Sequence, residues 1–362
     1  MIIMYIMAFG VLLGGVDQMI GNRWGFGKKF EEGLQLMGPT ALSMAGIICL
    51  SERLAKALGM VIVPIYSAAG IDPSMGASIF PMDMGGYQIA KQLAENSLVG
   101  LYSGIIVSSI FGCTLIFTIP MGMHIIDNSD KKVFSRGIIL GLITMPAALI
   151  AGGLSCGLTF SQVIYQCIPI LIITLLLILG LLKIPHLLMK GFQGFVKIVN
   201  LLLTIGLMIG AFNYLTGTDL IKGTVPIENA MKIVSSICIV LMGSLPLTEL
   251  MQRVLRKPLE LIGKRIGLDS ISMTGLLIGF ISPIPVLTTL KNMNPKGKLV
   301  NTACLVSTAS VFGAYLGFVG SNEPDFLVPI IIAKITGGAA ALLITLYLAG
   351  KKNEFIPQHE KS

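Results

Sequence analysis

Apolar stretches long enough to cross a lipid bilayer fill almost the whole sequence, and short loops separate them. A helix that crosses the hydrocarbon core needs about 20 mostly apolar residues. Of the 362 residues, 54% are hydrophobic and only 12% are charged, with a mean hydropathy of +0.85, which is outside the range of soluble domains. The sequence therefore predicts a single-domain, all-α polytopic membrane protein surrounded by lipid.

Nine stretches are predicted to cross the membrane fully, at about residues 1–20, 34–50, 97–120, 136–155, 163–183, 195–215, 231–250, 298–320 and 326–349. Two further segments, hairpin 1 (about 72–92) and hairpin 2 (about 270–290), are interrupted by several prolines and glycines. Proline removes a helical hydrogen bond and clashes with the preceding turn. Each segment is therefore expected to split into two arms that reach halfway across, as a re-entrant hairpin.

The distribution of basic residues favours this topology. If both hairpins turn back, most of the 26 Lys and Arg residues fall in loops on one side, which the positive-inside rule identifies as the cytoplasm. If the hairpins crossed fully, this bias would largely vanish. The prediction is an N-terminus outside and a cytoplasmic tail at 350–362. Membrane topology then explains the formal charge of +8, and we expect no nucleic-acid partner.

The sequence also contains an internal repeat. Gly70-Ile71-Asp72 matches Gly267-Leu268-Asp269, and Ser109-Ile110-Phe111-Gly112 resembles Ser310-Val311-Phe312-Gly313, in both cases about 200 residues later. Repeat 1 (about 1–155) and repeat 2 (about 195–349) flank a connecting span at 163–183. An odd number of crossings separates corresponding elements, so the repeats are predicted to insert with inverted topology, as in many secondary transporters.

Hairpin 1 contains the most informative polar residue, Asp83, which precedes Gly85 and Gly86. An ionised Asp in hydrocarbon costs about 2.5–3.5 kcal/mol on insertion scales, so it is expected to face a cavity or a partner. Free carbonyls at a helix break favour a cation. A small cationic substrate or coupling ion is therefore predicted at Asp83, with Met84 and Tyr87 beside it. The alternative is an internal ion pair, or a coupling role, with Lys91 or Lys334.

The second repeat offers hydroxyl groups but no acid. Ser282, Pro283 and Thr288 in hairpin 2 are predicted to line the substrate site, although such hydroxyls often bond only to helix carbonyls. Tyr315 and Asn322, on or beside a repeat-related span, are further candidates.

Other polar groups are assigned to structure. Asp17 is expected at the inner membrane interface, with a coupling role as the alternative, and Glu249 is predicted to pair with Arg253 four residues later. Six scattered cysteines are predicted to pack in the core. No metal-ligand spacing, no ATP-binding loop and no nucleophile–base pair occurs in the sequence, so we expect no cofactor, no metal site and no enzymatic activity.

Several segments resemble the ethanolamine utilisation permeases, a family of bacterial inner-membrane proteins. They are Phe30-Glu31-Glu32-Gly33, Pro73-Ser74-Met75, Asp83-Met84-Gly85-Gly86 with Ala90-Lys91 and Leu93-Ala94, Leu101-Tyr102-Ser103-Gly104, Ser129-Asp130, Ala151-Gly152-Gly153-Leu154 and Leu316-Gly317-Phe318. They cover nearly the whole chain in order. The resemblance implies a bacterial inner-membrane permease for ethanolamine, whose ammonium would suit Asp83.

The chain departs from the family pattern in repeat 2. Ala314-Tyr315 stands where an acidic residue and a histidine are usual, and Ser282-Pro283 replaces paired asparagines. Another small amine or organic cation is therefore the alternative substrate, and a cation channel or a non-transporting membrane assembly factor is the alternative function. A homo-oligomer is compatible with the sequence.

Overall fold

The computed structural model describes residues 2–351, so the predicted tail at 350–362 lies almost entirely outside the described residues. All the regular structure in the described part is helical. The helices are α1 Ile2–Met19, α2 Phe26–Gln35, α3 Met37–Ala68, α4 Ser74–Ala77, α5 Gly86–Leu93, α6 Ser97–Leu101, α7 Ile119–Ile125, α8 Lys131–Ser155, α9 Phe160–Lys183, α10 Pro185–Thr216, α11 Ile227–Ile266, α12 Ser270–Gly279, α13 Pro283–Thr289, α14 Pro295–Thr308, α15 Ala314–Asn322 and α16 Leu327–Lys351.

Six helical segments of the described chain are long and apolar enough to cross a membrane: 97–125, α8, α9, α10, the first 29 residues of α11 and a segment at 324–349. They coincide with six of the nine predicted spans. Two other predicted spans form helices of different length, since α1 has 18 residues and α3 extends to 32 residues with Pro64 inside it. The exact number of crossings stays a prediction.

The ninth predicted span, 298–320, is not one continuous helix. α14 ends at Thr308 and α15 begins at Ala314. Between them Ser310 adopts a positive φ of 60°, and the N–H groups of Ser310 and Phe312 donate to the carbonyls of Gly279 and Phe280 at 3.2 and 2.8 Å. The prediction of an unbroken helix was wrong because hairpin 2 supplies the hydrogen bonds that a straight helix would have made internally.

The corresponding segment of repeat 1 keeps its helical path but takes a wider helical form. From Tyr102–Gly112 and again from Thr114–Thr118 the backbone forms a π-helix, a form that usually occurs as single turns and often at functional sites. Gly112 lies directly against hairpin 1, where a Cβ would come within 2.3 Å of the Phe80 carbonyl oxygen. Only glycine allows this approach.

The two predicted hairpins are both broken helices whose arms pack together, α4 against α5 and α12 against α13. Asp72 joins the two ends of hairpin 1: its carboxylate accepts N–H groups from Ser74, Glu95 and Asn96 at 2.9, 3.1 and 2.7 Å. These bonds hold the entry and exit of the hairpin side by side. That the hairpins are re-entrant in the membrane stays a prediction.

Asp269 does the same for hairpin 2. Its carboxylate accepts N–H groups from Ser272 and Asn294 at 2.9 and 3.0 Å, and Asn294 then caps α14, as Asn96 caps α6. Gly70 and Gly267, two residues before each aspartate, have φ values of 68° and 73°. The repeated Gly-x-Asp motif of the sequence therefore builds the same closure twice.

The repeats contact one another through closely packed long helices. α8 lies against both α14 and α16. At the α8–α16 contact small residues face each other: a Cβ on Gly152 would come within 2.8 Å of the Ala333 Cβ, and one on Gly337 within 2.6 Å of the Ala148 Cβ. Small residues allow such backbone approach between membrane helices, and this contact brings the middle of α16 close to the broken segments.

Because Asp72 is buried, we expect Asp72→Asn to lower the free energy of unfolding by about 1–3 kcal/mol, since hydrogen bonds to a charged acceptor are lost. The less buried Asp269→Asn should cost less. Thermal unfolding of the purified protein in detergent measures both. Asp219→Asn, in an exposed loop, is the matched control, and midpoints equal to that control would contradict the closing role of these carboxylates.

Candidate functional site

Asp83 lies at the break of hairpin 1. It is the middle residue of a single 3-10 turn, Met82–Met84, between α4 and α5. Gly85 follows with a φ of 98°, and a Cβ there would come within 2.3 Å of the Ile47 Cγ2, so this turn requires glycine. Met82 is buried, whereas Asp83 is partly exposed. The turn therefore places a carboxylate among packed apolar residues.

Tyr315 faces Asp83 from repeat 2. It belongs to the first turn of α15, and its side chain lies near the Asp83 carboxylate and the Cys113 thiol. Tyr315 is buried, with 3% of its surface exposed. The predicted candidates Asp83 and Tyr315 are thus brought together from the two repeats, one at each helix break.

Lys334, in α16, lies on the other side of Tyr315. Its side chain is completely buried, and the ammonium nitrogen is 4.9 Å from the centre of the Tyr315 ring. It donates to the backbone carbonyls of Ser109, Ser307 and Ala309 at 2.9, 3.3 and 2.9 Å. Its charge acts on Asp83, but Lys334 and Asp83 do not form an ion pair within 4.0 Å.

Lys91 forms an ion pair with Glu323 and not with Asp83. Its ammonium lies 2.9 Å from Glu323 Oε1, so the predicted alternative of an Asp83–Lys91 ion pair was wrong. Tyr87 joins them, because its hydroxyl donates to Glu323 at 2.6 Å and accepts from Lys91 at 3.0 Å. The Tyr87 ring packs edge-on against Phe318, 5.3 Å between centres. We call Tyr87, Lys91 and Glu323 the Glu323 cluster.

The spacing explains how this cluster relates to Asp83. Tyr87 and Lys91 are four residues apart in α5, which places them on one side of that helix, and Asp83 lies in the turn just before it. Tyr315, Phe318 and Glu323 follow the facing helix of repeat 2 in the same direction. The Glu323 cluster therefore joins the two repeats about two turns away from the Asp83–Tyr315 contact.

The hydroxyl groups of hairpin 2 are located elsewhere. Thr288 donates to the Pro285 carbonyl of its own helix at 3.0 Å and lines a cavity of about 220 Å³ together with Asp127, Asp130 and Lys291. Ser282 precedes α13 without capping it, and Pro283 is buried. In the described residues no hydrogen bond connects Ser282 or Thr288 with Asp83, so their role in a substrate site stays a prediction.

The remaining candidates have structural surroundings. Met84 packs with a small apolar cluster around Ile47. The Asn322 amide donates to the Phe318 carbonyl at 2.8 Å. Asp17 is fully buried and accepts N–H groups from Trp24 and Gly27, both at 2.9 Å, so it holds the start of α2. The predicted Glu249–Arg253 pair is confirmed at 2.8 Å.

Two features were missed in the sequence. Glu323 was not among the predicted site residues, although its position at the end of the Leu316-Gly317-Phe318 helix could have suggested a partner on hairpin 1. The carbonyl groups around Lys334 carry no sequence signal of their own. Only the break at 309–313 exposes two of them, and that break was not predicted.

The long apolar helices and the broken segments define a multi-pass α-helical membrane protein with an acid and a buried lysine near its helix breaks. The model of the family described as "Ethanolamine utilisation protein, EutH" matches residues 1–348, and the chain belongs to that family. No solved structure matches the chain.

Curated relatives agree with this assignment. The chain is 39% identical to "Probable ethanolamine permease EutH" of Listeria monocytogenes, over 98% of this chain and 96% of that protein. It is 36% identical to the protein of the same name of Salmonella typhimurium, over 97% and 95%. It is 35% identical to "Uncharacterized protein YxeR" of Bacillus subtilis, over 94% and 92%.

Within the Glu323 cluster we expect Tyr87→Phe to destabilise the protein more than Lys91→Ala. The Tyr87 hydroxyl is buried and bonds to a charged acceptor, a bond worth about 1.5–3 kcal/mol, whereas the Lys91 side chain is 59% exposed and such ion pairs contribute about 0–1 kcal/mol. Unfolding midpoints of the two variants test this order, and an equal or larger loss for Lys91→Ala would refute it.

Proposed function

We propose that this protein is a permease that takes up ethanolamine, or a closely similar small amine, across the bacterial inner membrane by alternating access. The observation that carries the proposal is the state of Asp83. Asp83 lies at a helix break, and within residues 2–351 its carboxylate has no ion-pair partner within 4.0 Å. A carboxylate that has no ion-pair partner among apolar helices indicates a cationic ligand.

Ethanolamine fits this site chemically. It is protonated near neutral pH, so its ammonium can bind the Asp83 carboxylate. The Tyr315 hydroxyl, which already contacts Asp83, is placed to hydrogen-bond either the ammonium or the substrate hydroxyl. Relatives named as probable ethanolamine permeases support this substrate. Because Tyr315 is one of the departures from the family pattern, it is also the residue that we expect to change selectivity among small amines.

Alternating access is supported by the conformations of the two repeats. Ser109–Gly112 lies in the π-helix, whereas the matching Ser310–Gly313 is unwound. One sequence pattern thus occurs in two conformations. In an inverted repeat, exchange of the two conformations produces the opposite-facing state. The Asp72 and Asp269 closures give each hairpin the rigidity to move as a unit.

The proposed orientation has the N-terminus outside and the C-terminus in the cytoplasm. Contacts between loops agree with it, since they join only positions predicted to lie on one side. On the proposed outer side Lys91 contacts Glu323 and Arg53 bonds to the Lys222 carbonyl; on the inner side Lys298 contacts Asp130 and Arg253 bonds to the Trp24 carbonyl. The Glu323 cluster then closes the outer end above Asp83, and we propose it as the outer gate.

The test is uptake of labelled ethanolamine into proteoliposomes. We expect saturable uptake by the wild type and at least about a tenfold loss in Asp83→Asn, because a charge-assisted contact to the ammonium is removed. Asp219→Asn is the matched control, with wild-type uptake expected. A panel of choline, propanolamine and neutral alcohols defines selectivity.

Two results would reject parts of this proposal. Full uptake by correctly folded Asp83→Asn would remove Asp83 from the substrate site. Large currents that do not saturate with ethanolamine would identify a cation channel, which is the alternative for two broken hairpins with one acid.

A further inference from the structure

Lys334 occupies a site built entirely from backbone oxygen atoms. Its three acceptors are the carbonyls of Ser109, Ser307 and Ala309, all within 3.3 Å of the ammonium nitrogen. A neutral amine has only two N–H donors, whereas an ammonium has three. Three accepting carbonyls therefore match the charged form, and they place a full positive charge inside the protein with no carboxylate bonded to it.

Two of these carbonyls are available because α14 ends there. The last carbonyls of a helix have no partner within it, and they form the negative end of the helix dipole. α14 ends at Thr308, so Ser307 and Ala309 belong to this end. The third carbonyl, that of Ser109, comes from the repeat-related segment in repeat 1. Both repeats thus contribute to one cation site, repeat 2 from the end of α14 and repeat 1 from the π-helix.

The charged and titratable groups around Lys334 come from three other elements. They are Asp83 at the break of hairpin 1, Cys113 in the helical segment 97–125 and Tyr315 in α15. α8 faces this part of α16 with Ala148 and Gly152, and its own basic residues are a dozen or more positions away, at 131–136. Among the described residues, Asp83 is thus the one acid that acts on Lys334, and the two do not form a direct ion pair.

Unwound carbonyls at a broken helix are the usual ligands of Na⁺ in secondary transporters. We propose that the carbonyls of Ser109, Ser307 and Ala309 form a monovalent-cation site whose occupant is the tethered ammonium of Lys334, so that transport requires no bound Na⁺ or K⁺. The uptake test of this proposal rests on the proposed transport function. The site itself can be tested without substrate.

The first test is the thermal stability of purified Lys334→Ala. We expect its unfolding midpoint to rise with Na⁺, K⁺, Li⁺ or n-propylammonium relative to N-methylglucamine at equal ionic strength, because these ions can enter the vacated carbonyl site. The wild type and the control Lys91→Ala should show no such dependence. A folded Lys334→Ala that responds to none of these cations would overturn the proposal.

The second test is ethanolamine uptake in the same salts. Wild-type uptake should not change when N-methylglucamine replaces Na⁺ and K⁺, and this comparison needs no variant to fold. Lys334→Met should lose at least about tenfold, and Lys334→Ala should recover several-fold with a cation that stabilises it. Wild-type uptake that depends on Na⁺ or K⁺, or full activity of Lys334→Met, would refute the proposal. If the wild type takes up no ethanolamine, the proposed substrate fails, and the stability test still decides the cation site.

Discussion

The need to pair every backbone polar group inside the protein governs this structure. In hydrocarbon an unpaired N–H or C=O costs several kcal/mol, so each interruption of a membrane helix needs an internal partner. Hairpin 1 solves this with the Asp72 carboxylate and hairpin 2 with Asp269. The break between α14 and α15 uses two partners: the carbonyls of hairpin 2 accept its N–H groups, and Lys334 bonds to its carbonyls.

This pairing also explains why Asp83 remains available. A buried lysine and a nearby acid among apolar helices would ordinarily be expected to join as an ion pair. Here the ammonium of Lys334 is satisfied by three carbonyls and lies over the Tyr315 ring, so it does not form an ion pair with the Asp83 carboxylate. Lys91 is likewise held by Glu323. Both cations proposed as partners of Asp83 are engaged elsewhere, which leaves the acid for a ligand.

The sequence predicted the parts of the fold that depend on local patterns. Hydropathy placed six long helices that the structure describes, and proline and glycine placed the breaks of both hairpins. The Gly-x-Asp repeat marked the two closures, although their hydrogen bonds were not foreseen. The break at 309–313 was missed because its segment is as apolar as its repeat partner, and the difference arises from contact with hairpin 2. Local composition contains no information about that contact.

For the candidate site, the sequence predicted single residues but not the contacts between them. Asp83 stood out because a carboxylate in an apolar segment is costly, and Tyr315 was a candidate because it lies on a repeat-related span. Their contact depends on how the two repeats pack, as does the pairing of Lys91 with Glu323. Long-range geometry of this kind connects residues more than 200 positions apart, and no spacing rule for a single helix can reveal it.

The two repeats are unequal in charge, and this inequality gives a direction to the proposed mechanism. Lys334 lies inside α16, whereas the basic residues of α8 are confined to its first turns. A tethered cation therefore stabilises an unwound segment in repeat 2 and has no counterpart in repeat 1. The charge of Lys334 acts on Asp83 without a direct ion pair. In the proposed mechanism a substrate ammonium bound at Asp83 would bring a second positive charge near Lys334, and like charges repel more strongly in a low-dielectric interior than in water. This repulsion would act on the hydrogen bonds between Lys334 and the carbonyls of Ser307 and Ala309.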